Sequence, residues 1–92
     1  MKAYIYNRVG EEPINRNNPR MELNDGSYDA VRKFVWSHVN DVFDTETLSE
    51  AFIVNTRREV LVFLRYNDIT IIIPHHSLRT ARIYIREYME IA

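Results

Sequence analysis

Few residues in this sequence are suited to acid–base, nucleophilic or metal chemistry, and they are scattered. His75 and His76 are adjacent, so on a regular backbone their side chains diverge and do not chelate one ion together. His38 falls beside the apolar face of a predicted helix, where a packed or boundary histidine is the favoured interpretation. Ser27 and Ser77 precede helical patterns and are interpreted as caps rather than nucleophiles. No set of residues predicts catalysis, a metal site or a cofactor, and we expect a protein that is not an enzyme.

A second set of residues is suited to binding anions or acidic surfaces. Arg79, Arg82 and Arg86 recur at spacings of three and four, along one border of the apolar face of the predicted last helix. They precede Glu87 and Glu90, an order that opposes the helix dipole. The order does not serve helix stability, so we interpret the arginines as a partner-binding stripe. The alternative is that they extend along the edge of the core with their charged ends in water.

Arginine is concentrated in the second half of the chain. Residues 55–86 contain six arginines and two acidic residues, whereas residues 1–54 contain six basic and nine acidic residues. Arginine outnumbers lysine ten to two, and its planar guanidinium binds carboxylates and phosphates through paired hydrogen bonds. Arginine and tryptophan are also enriched at the energetic centres of protein interfaces. The further predicted partner-binding residues are Arg57, Arg58, Arg65 and Trp36, with a core position as the alternative for Trp36.

Length and composition exclude several classes of protein. The chain has 92 residues, which predicts a single domain over residues 1–92. It is 46% hydrophobic and 27% charged, a composition that supports a globular core. A net charge of −1 gives no overall basic field of the kind that nucleic-acid-binding proteins carry. The absence of cysteine excludes disulfides and thiolate metal sites.

The sequence also carries no sign of a membrane or secretion segment. No apolar run approaches the roughly 18 residues that predict a membrane-spanning helix. The first residues are too polar for a secretion signal. We therefore expect a cytoplasmic protein without a membrane partner.

The elements that must position these residues follow from hydrophobic periodicity. Alternating side chains predict a strand over residues 2–9, and spacings of three and four predict a helix over residues 28–43. A short helical turn is expected within residues 45–51. Three strands follow at 52–54, 59–66 and 69–73, and then a last helix at 78–91.

This order, β-α-β-β-β-α, predicts an α+β fold. We expect a two-layer sandwich in which an antiparallel meander sheet carries both helices on one face and takes the first strand at an edge. Residues 10–26, rich in asparagine and proline, are predicted to be a long polar loop.

Two further surfaces are predicted from the strand and loop patterns. Leu61, Phe63 and Ile72 point away from the helices, so they form either an apolar contact surface, including one between two copies of the chain, or a face that the loop at 10–26 covers. Four acidic residues cluster around the end of the first helix and are either a contact for a basic partner or a solvated loop: Asp41, Asp44, Glu46 and Glu50.

The stretch from Ser27 to Ile91, read as α-β-β-β-α, resembles the double-stranded RNA-binding domain. In that family a Ser-Lys-Lys-x-Ala-Lys run opens the last helix and binds phosphates. Ser77, Arg79, Ala81 and Arg82 are similar to it, whereas Leu78 replaces the first basic position. The glycine-rich approach to that helix and the glycine-containing loop between the first two strands of the family are missing here. The resemblance implies phosphate contacts by Arg79, Arg82 and His75 or His76.

These observations favour a protein that acts by binding a macromolecule. The main prediction is a stoichiometric protein inhibitor or adaptor, of the kind that phages and mobile elements direct at host defence or nucleic-acid-processing complexes. The first alternative is an RNA- or DNA-binding module that uses the arginine stripe. The second is a structural subunit of a homo-oligomer, assembled through strands 60–65 and 69–73.

Overall fold

The computed structural model of the chain describes residues 1–8, 16–38 and 47–91. Within them, five strands and two helices follow one another: β1 (Ala3–Asn7), β2 (Met21–Leu23), α1 (Tyr28–Ser37), β3 (Glu50–Asn55), β4 (Val60–Arg65), β5 (Ile69–His75) and α2 (Leu78–Ile91). The strands form one antiparallel sheet in the spatial order β2-β1-β5-β4-β3. Both helices pack against this sheet, so the predicted α+β class is confirmed.

The central sheet forms from strands that are neighbours in sequence. β3 and β4 pair from Glu50 opposite Arg65 to Asn55 opposite Val60. β4 and β5 pair across the two-residue turn at 67–68, which the Tyr66 N–H closes by donating to the Ile69 carbonyl at 2.9 Å. β1 lies beside β5, so the first strand joins the edge of the meander as predicted.

The structure departs from the predicted elements at three places. β2 lies inside the predicted loop and pairs with β1. The sequence did not predict this strand, because three residues are too few to show an alternating pattern. Residues 50–51 belong to β3, so the predicted helical turn is wrong there, while residues 45–46 lie outside the described residues. α1 ends at Ser37 with His38 as its C-cap, earlier than predicted.

The core lies between the sheet and the helices because the strands alternate. Side chains on the helix face of β4 and β5, among them the fully buried Leu64, Ile69, Ile71 and Ile73, pack against both helices. Tyr88 is the largest fully buried side chain that α2 packs against them. The opposite face has a smaller cluster of Tyr6, Leu61 and Ile72. The central strands are therefore buried on both sides.

The start of each helix is fixed by a serine, as predicted. The Ser27 Oγ accepts the Ala30 N–H at 3.3 Å, and the Ser77 Oγ accepts the Thr80 N–H at 3.2 Å. Gly26 allows the start of α1 to lie close to the backbone at the start of β1. Any other residue here would clash, because its Cβ would lie 2.7 Å from the Lys2 carbonyl carbon. Among the described residues, no helix has the length and apolar character needed to cross a membrane.

Candidate functional site

The arginines of α2 lie on the side of the helix that faces away from the sheet. Ala81, Tyr84 and Tyr88 are buried in the core, whereas Arg79, Arg82 and Arg86 are exposed. No hydrogen bond or ion pair joins these arginines to any residue that the structure describes, although Glu87 and Glu90 are on the same helix. Their guanidinium groups are therefore available to a partner. Met89 lies about one helical turn after Arg86, next to the arginines, and it is 47% exposed.

Trp36 lies on the corresponding outward side of α1. The helix buries Val31 and Phe34, and the tryptophan side chain is 81% exposed. Its position at the margin of the apolar arc left a core location open, and the structure places it in solvent instead. An indole of this size in water is unusual, because burying it yields more free energy than burying most other side chains.

Both helices pack into the same core on one face of the sheet, so both of these exposed rows face away from the sheet. The Arg32 guanidinium donates from Nη1 to the Tyr88 carbonyl at 3.2 Å and lies 5.5 Å from the centre of the Tyr88 ring. Arg32 is one turn before Trp36, so this contact joins the part of α1 that carries the tryptophan to α2. We call the exposed residues of this layer the outer helix surface: Trp36, Arg79, Arg82, Arg86 and Met89.

The other predicted arginines are divided between the two ends of the sheet. Arg57 and Arg58 are exposed in the turn between β3 and β4. Since Val60 pairs with His75, this turn lies at the end of the sheet where α2 begins. Arg65 lies at the opposite end and forms an ion pair with Glu50, with Nη1 2.7 Å from Oε1. The structure therefore does not bring Arg65 together with the other predicted contacts.

The predicted apolar contact surface is mostly buried in this conformation. Leu61 is 6% exposed and Ile72 is fully buried, so neither offers a surface to a partner. Phe63 is half-buried and stacks on Phe52, with their ring centres 4.9 Å apart. Of the predicted acidic contact, Glu50 is paired with Arg65, and the other three residues lie outside the described residues: Asp41, Asp44 and Glu46.

Arg16, in the middle of the predicted loop at 10–26, lies against the second face of the sheet, the face opposite the helices. Its guanidinium lies 5.3 Å from the centre of the Tyr4 ring, donates to the Tyr6 hydroxyl at 2.7 Å and pairs with Glu59 at 3.0 Å. The Tyr6 hydroxyl donates in turn to the Arg16 carbonyl at 3.0 Å. We call this set of contacts the clamp of Arg16. The sequence did not predict it, because Tyr6 is 10 positions and Glu59 is 43 positions from Arg16 along the chain.

The histidines occupy three different settings. His38 donates from Nδ1 to the Phe34 carbonyl at 2.9 Å and packs on the Phe34 ring, as a boundary histidine does. His75 is buried, His76 is exposed, and burial together with the neighbouring His76 lowers the pKa of His75. Within residues 1–8, 16–38 and 47–91, no group of three or more histidine or acidic side chains is placed to hold a metal ion.

A cleft of about 290 Å³ opens where the chain start meets the two helices. Tyr28, Ile83, Tyr84 and His75 contribute to its wall. The His75 Nε2 and the Tyr84 hydroxyl are buried without a hydrogen-bond partner, and both atoms are shielded from solvent. Burial raises the pKa of Tyr84 well above its usual value, so the hydroxyl stays neutral. The wall of the cleft is mostly apolar, and its polar part comes from Ser27, His76, Thr80 and Glu87.

Comparison of the chain with protein-family models, with curated proteins and with solved structures gives no match. The functional argument therefore depends on the geometry of the outer helix surface.

Proposed function

We propose that this chain is a non-enzymatic binding protein whose outer helix surface docks onto an acidic surface of a protein partner. The observation that carries the proposal is the combination of three exposed arginines without ion pairs to the described residues and a tryptophan that is 81% exposed. A small chain of this design acts by occupying its partner, as a stoichiometric inhibitor or adaptor does.

The physical chemistry of the surface favours association. Burying a tryptophan removes about 200 Å² from water, which contributes on the order of 5 kcal/mol before the costs of ordering are subtracted. The arginines have no ion pair with the described residues to lose when they meet a partner, and a guanidinium is desolvated more readily than a lysine ammonium group. An apolar contact at Trp36 and Met89, flanked by basic groups, fits a partner with an apolar pocket beside carboxylates.

A second candidate function is phosphate binding by the same arginines. It is favoured by the order α1-β3-β4-β5-α2, which is the order that resembles the double-stranded RNA-binding domain. Arg79 and Arg82, the positions similar to the phosphate-binding lysines, are exposed. The acidic first half of the chain and the exposed tryptophan favour the protein partner over this alternative.

The two candidates are separated by capture from a lysate of the host cell, with and without nuclease. We expect the wild-type chain to retain one protein complex after nuclease treatment. The variant with Arg79→Ala, Arg82→Ala and Arg86→Ala is expected to lose it, and Trp36→Ala is expected to weaken it at least tenfold. Lys2→Ala removes an exposed basic residue on β1's side of the molecule and serves as the control that retains capture.

Thermal unfolding of the triple variant accompanies the capture experiment. Arg79, Arg82 and Arg86 make no hydrogen bond or ion pair with the described residues, so the melting temperature should stay within a few degrees of wild type. Capture that survives in the folded triple variant contradicts the proposal. Capture that disappears with nuclease, or falls steeply with modest added salt, supports phosphate binding instead.

A further inference from the structure

The two edges of the sheet are built differently. The β2 edge has only three residues, follows Pro19 closely, and carries Glu22 next to Lys2, with 4.0 Å between Nζ and Oε2. Short length, charge and proline are the devices by which proteins prevent edge-to-edge pairing. The β3 edge is longer and has no proline: its six residues pair with β4 without a bulge, its one charged residue is Glu50 at the start, and residues 51–54 are Ala-Phe-Ile-Val.

No strand in the part of the chain that the structure describes pairs with the outer side of β3. We propose that β3 pairs antiparallel with β3 of a second copy of this chain, which joins the two sheets into one continuous sheet across a two-fold axis. Such an interface is isologous, the commonest kind in soluble homodimers. The proposal is independent of the function proposed for the outer helix surface.

The two ends of β3 carry opposite charges, and this favours antiparallel over parallel pairing with β3 of a second copy. Glu50 begins the strand, and Arg57 and Arg58 follow its end in an exposed turn. In antiparallel pairing, residues directly opposite each other point to the same face of the sheet. The helices of both copies therefore lie on the same side of the joined sheet only if the two-fold axis passes through a residue position, such as that of Ile53 or Val54. In either register Glu50 of one copy lies opposite residues 56–58 of the other, so both ends bring unlike charges together. Parallel pairing would bring like charges together instead.

The turn that carries these arginines is held by its own hydrogen bonds. The Thr56 N–H donates to the Glu59 carbonyl at 3.0 Å, and the Glu59 N–H donates to the Thr56 Oγ1 at 3.1 Å. Arg57 and Arg58 make no hydrogen bond or ion pair with the described residues. The side chain of Glu50 is half exposed, so its carboxylate can bind an arginine of the second copy while it stays paired with Arg65.

The second face of the sheet supports the same pairing. Phe52 stacks on Phe63, both are half-buried, and Val54 on the same face is 36% exposed. Pairing of β3 with its copy lays these two apolar strips side by side and shields them from water. In the homo-oligomer alternative the strands 60–65 and 69–73 were the assembly surface, but β4 and β5 are each paired on both sides, so their edges are not open and the edge of β3 is.

Sedimentation equilibrium over a range of concentrations tests the proposal. The wild-type chain is expected to reach twice its 11.0 kDa mass and to stop there, since the β2 edge is protected. Val54→Lys places a charge on the open edge and should give a monomer. Met21→Lys is the matched control, because Met21 is 38% exposed on the opposite edge strand, and it should remain dimeric.

A second variant keeps the test valid if Val54→Lys reduces stability. Arg57→Glu with Arg58→Glu changes only exposed turn residues, and should raise the dimer dissociation constant at least tenfold, with circular dichroism unchanged. Added salt should weaken the wild-type dimer in the same direction. A wild-type chain that stays monomeric at millimolar concentration overturns the proposal. A dimer that tolerates Val54→Lys, a dimer lost with Met21→Lys, or growth beyond two copies overturns it as well.

Discussion

The chemistry of His75 is altered by its surroundings in the core. Its ring packs edge-on against Tyr84 at 5.1 Å between centres, and its Nε2 is buried without a partner. Burial, followed by the charge of His76, lowers the pKa of His75. The folded protein therefore holds this imidazole neutral at a pH where the unfolded chain would begin to protonate it.

The free energy of unfolding should decrease as the pH falls below the ordinary histidine pKa of about 6.5. The unfolded chain takes up a proton at His75 in that range and the folded chain does not, so acid favours unfolding. One such group gives a slope of at most about 1.4 kcal/mol per pH unit. Urea titrations at several pH values measure it.

Two histidine variants show whether His75 is the source of that slope. His75→Leu should flatten the pH dependence between about pH 6.5 and 5. His76→Gln should retain it, because burial is the larger cause of the shift at His75. An unchanged slope in His75→Leu would assign the effect to another group.

The clamp of Arg16 connects a loop to the sheet at the scale of elements. It combines a cation–π contact with Tyr4, a hydrogen bond to Tyr6 and an ion pair with Glu59. The Arg16 and Glu59 side chains are about a third exposed, so solvent screening reduces the contribution of their ion pair to the free energy of unfolding. The stacking and the hydrogen bond therefore carry most of the stabilisation.

Arg16→Ala should lower the free energy of unfolding by about 1–2 kcal/mol. Arg16→Lys should recover only part of that loss, since an ammonium group cannot reach both Tyr6 and Glu59 with the same geometry. Guanidinium titrations measure both variants. Lys2→Ala, which removes a long exposed ion pair, is the control and should change stability by less than about 0.5 kcal/mol. An Arg16→Ala value no larger than that control would show that the clamp does not stabilise the fold.

The sequence predicted the elements whose local patterns are long. The five-residue and longer strands and both helices follow from periodicity, and the serine caps follow from local hydrogen bonding. β2 could not be predicted, since three residues show no pattern and its position depends on β1. The burial of Leu61 and Ile72 was one of two outcomes that the sequence left open, because it belongs to a face closed by distant contacts such as that of Arg16.

The sequence predicted the part of the candidate site that depends on local pattern, and it could not predict the part that depends on packing between elements. The helical step placed Arg79, Arg82 and Arg86 along one side of α2, where the structure finds them exposed. The exposure of Trp36 was open, since the residue falls at the margin of the apolar arc, and only the packing of α1 on the sheet decides it. The separation of Arg65 from the other arginines required the strand register.

At the scale of the whole molecule, the apolar sheet and the basic side of the helix layer are separate surfaces. The sheet buries apolar side chains on both faces, and the helices present basic groups and an indole on the side away from it. The open β3 edge lies in the plane of the sheet, so pairing there leaves the outer helix surface available. A dimer would therefore present two copies of that surface to its partner, which strengthens binding to a partner with repeated sites.

Photo-crosslinking from Trp36 tests the central claim most directly. Benzoylphenylalanine at position 36 keeps a large aromatic group on the outer helix surface, and the same residue at position 21 is the control on β2. We predict that irradiation of the host cells crosslinks position 36, but not position 21, to one protein, and that Arg79→Ala, Arg82→Ala and Arg86→Ala together abolish the product. Crosslinks to nucleic acid alone, or equal products from both positions, would contradict the account.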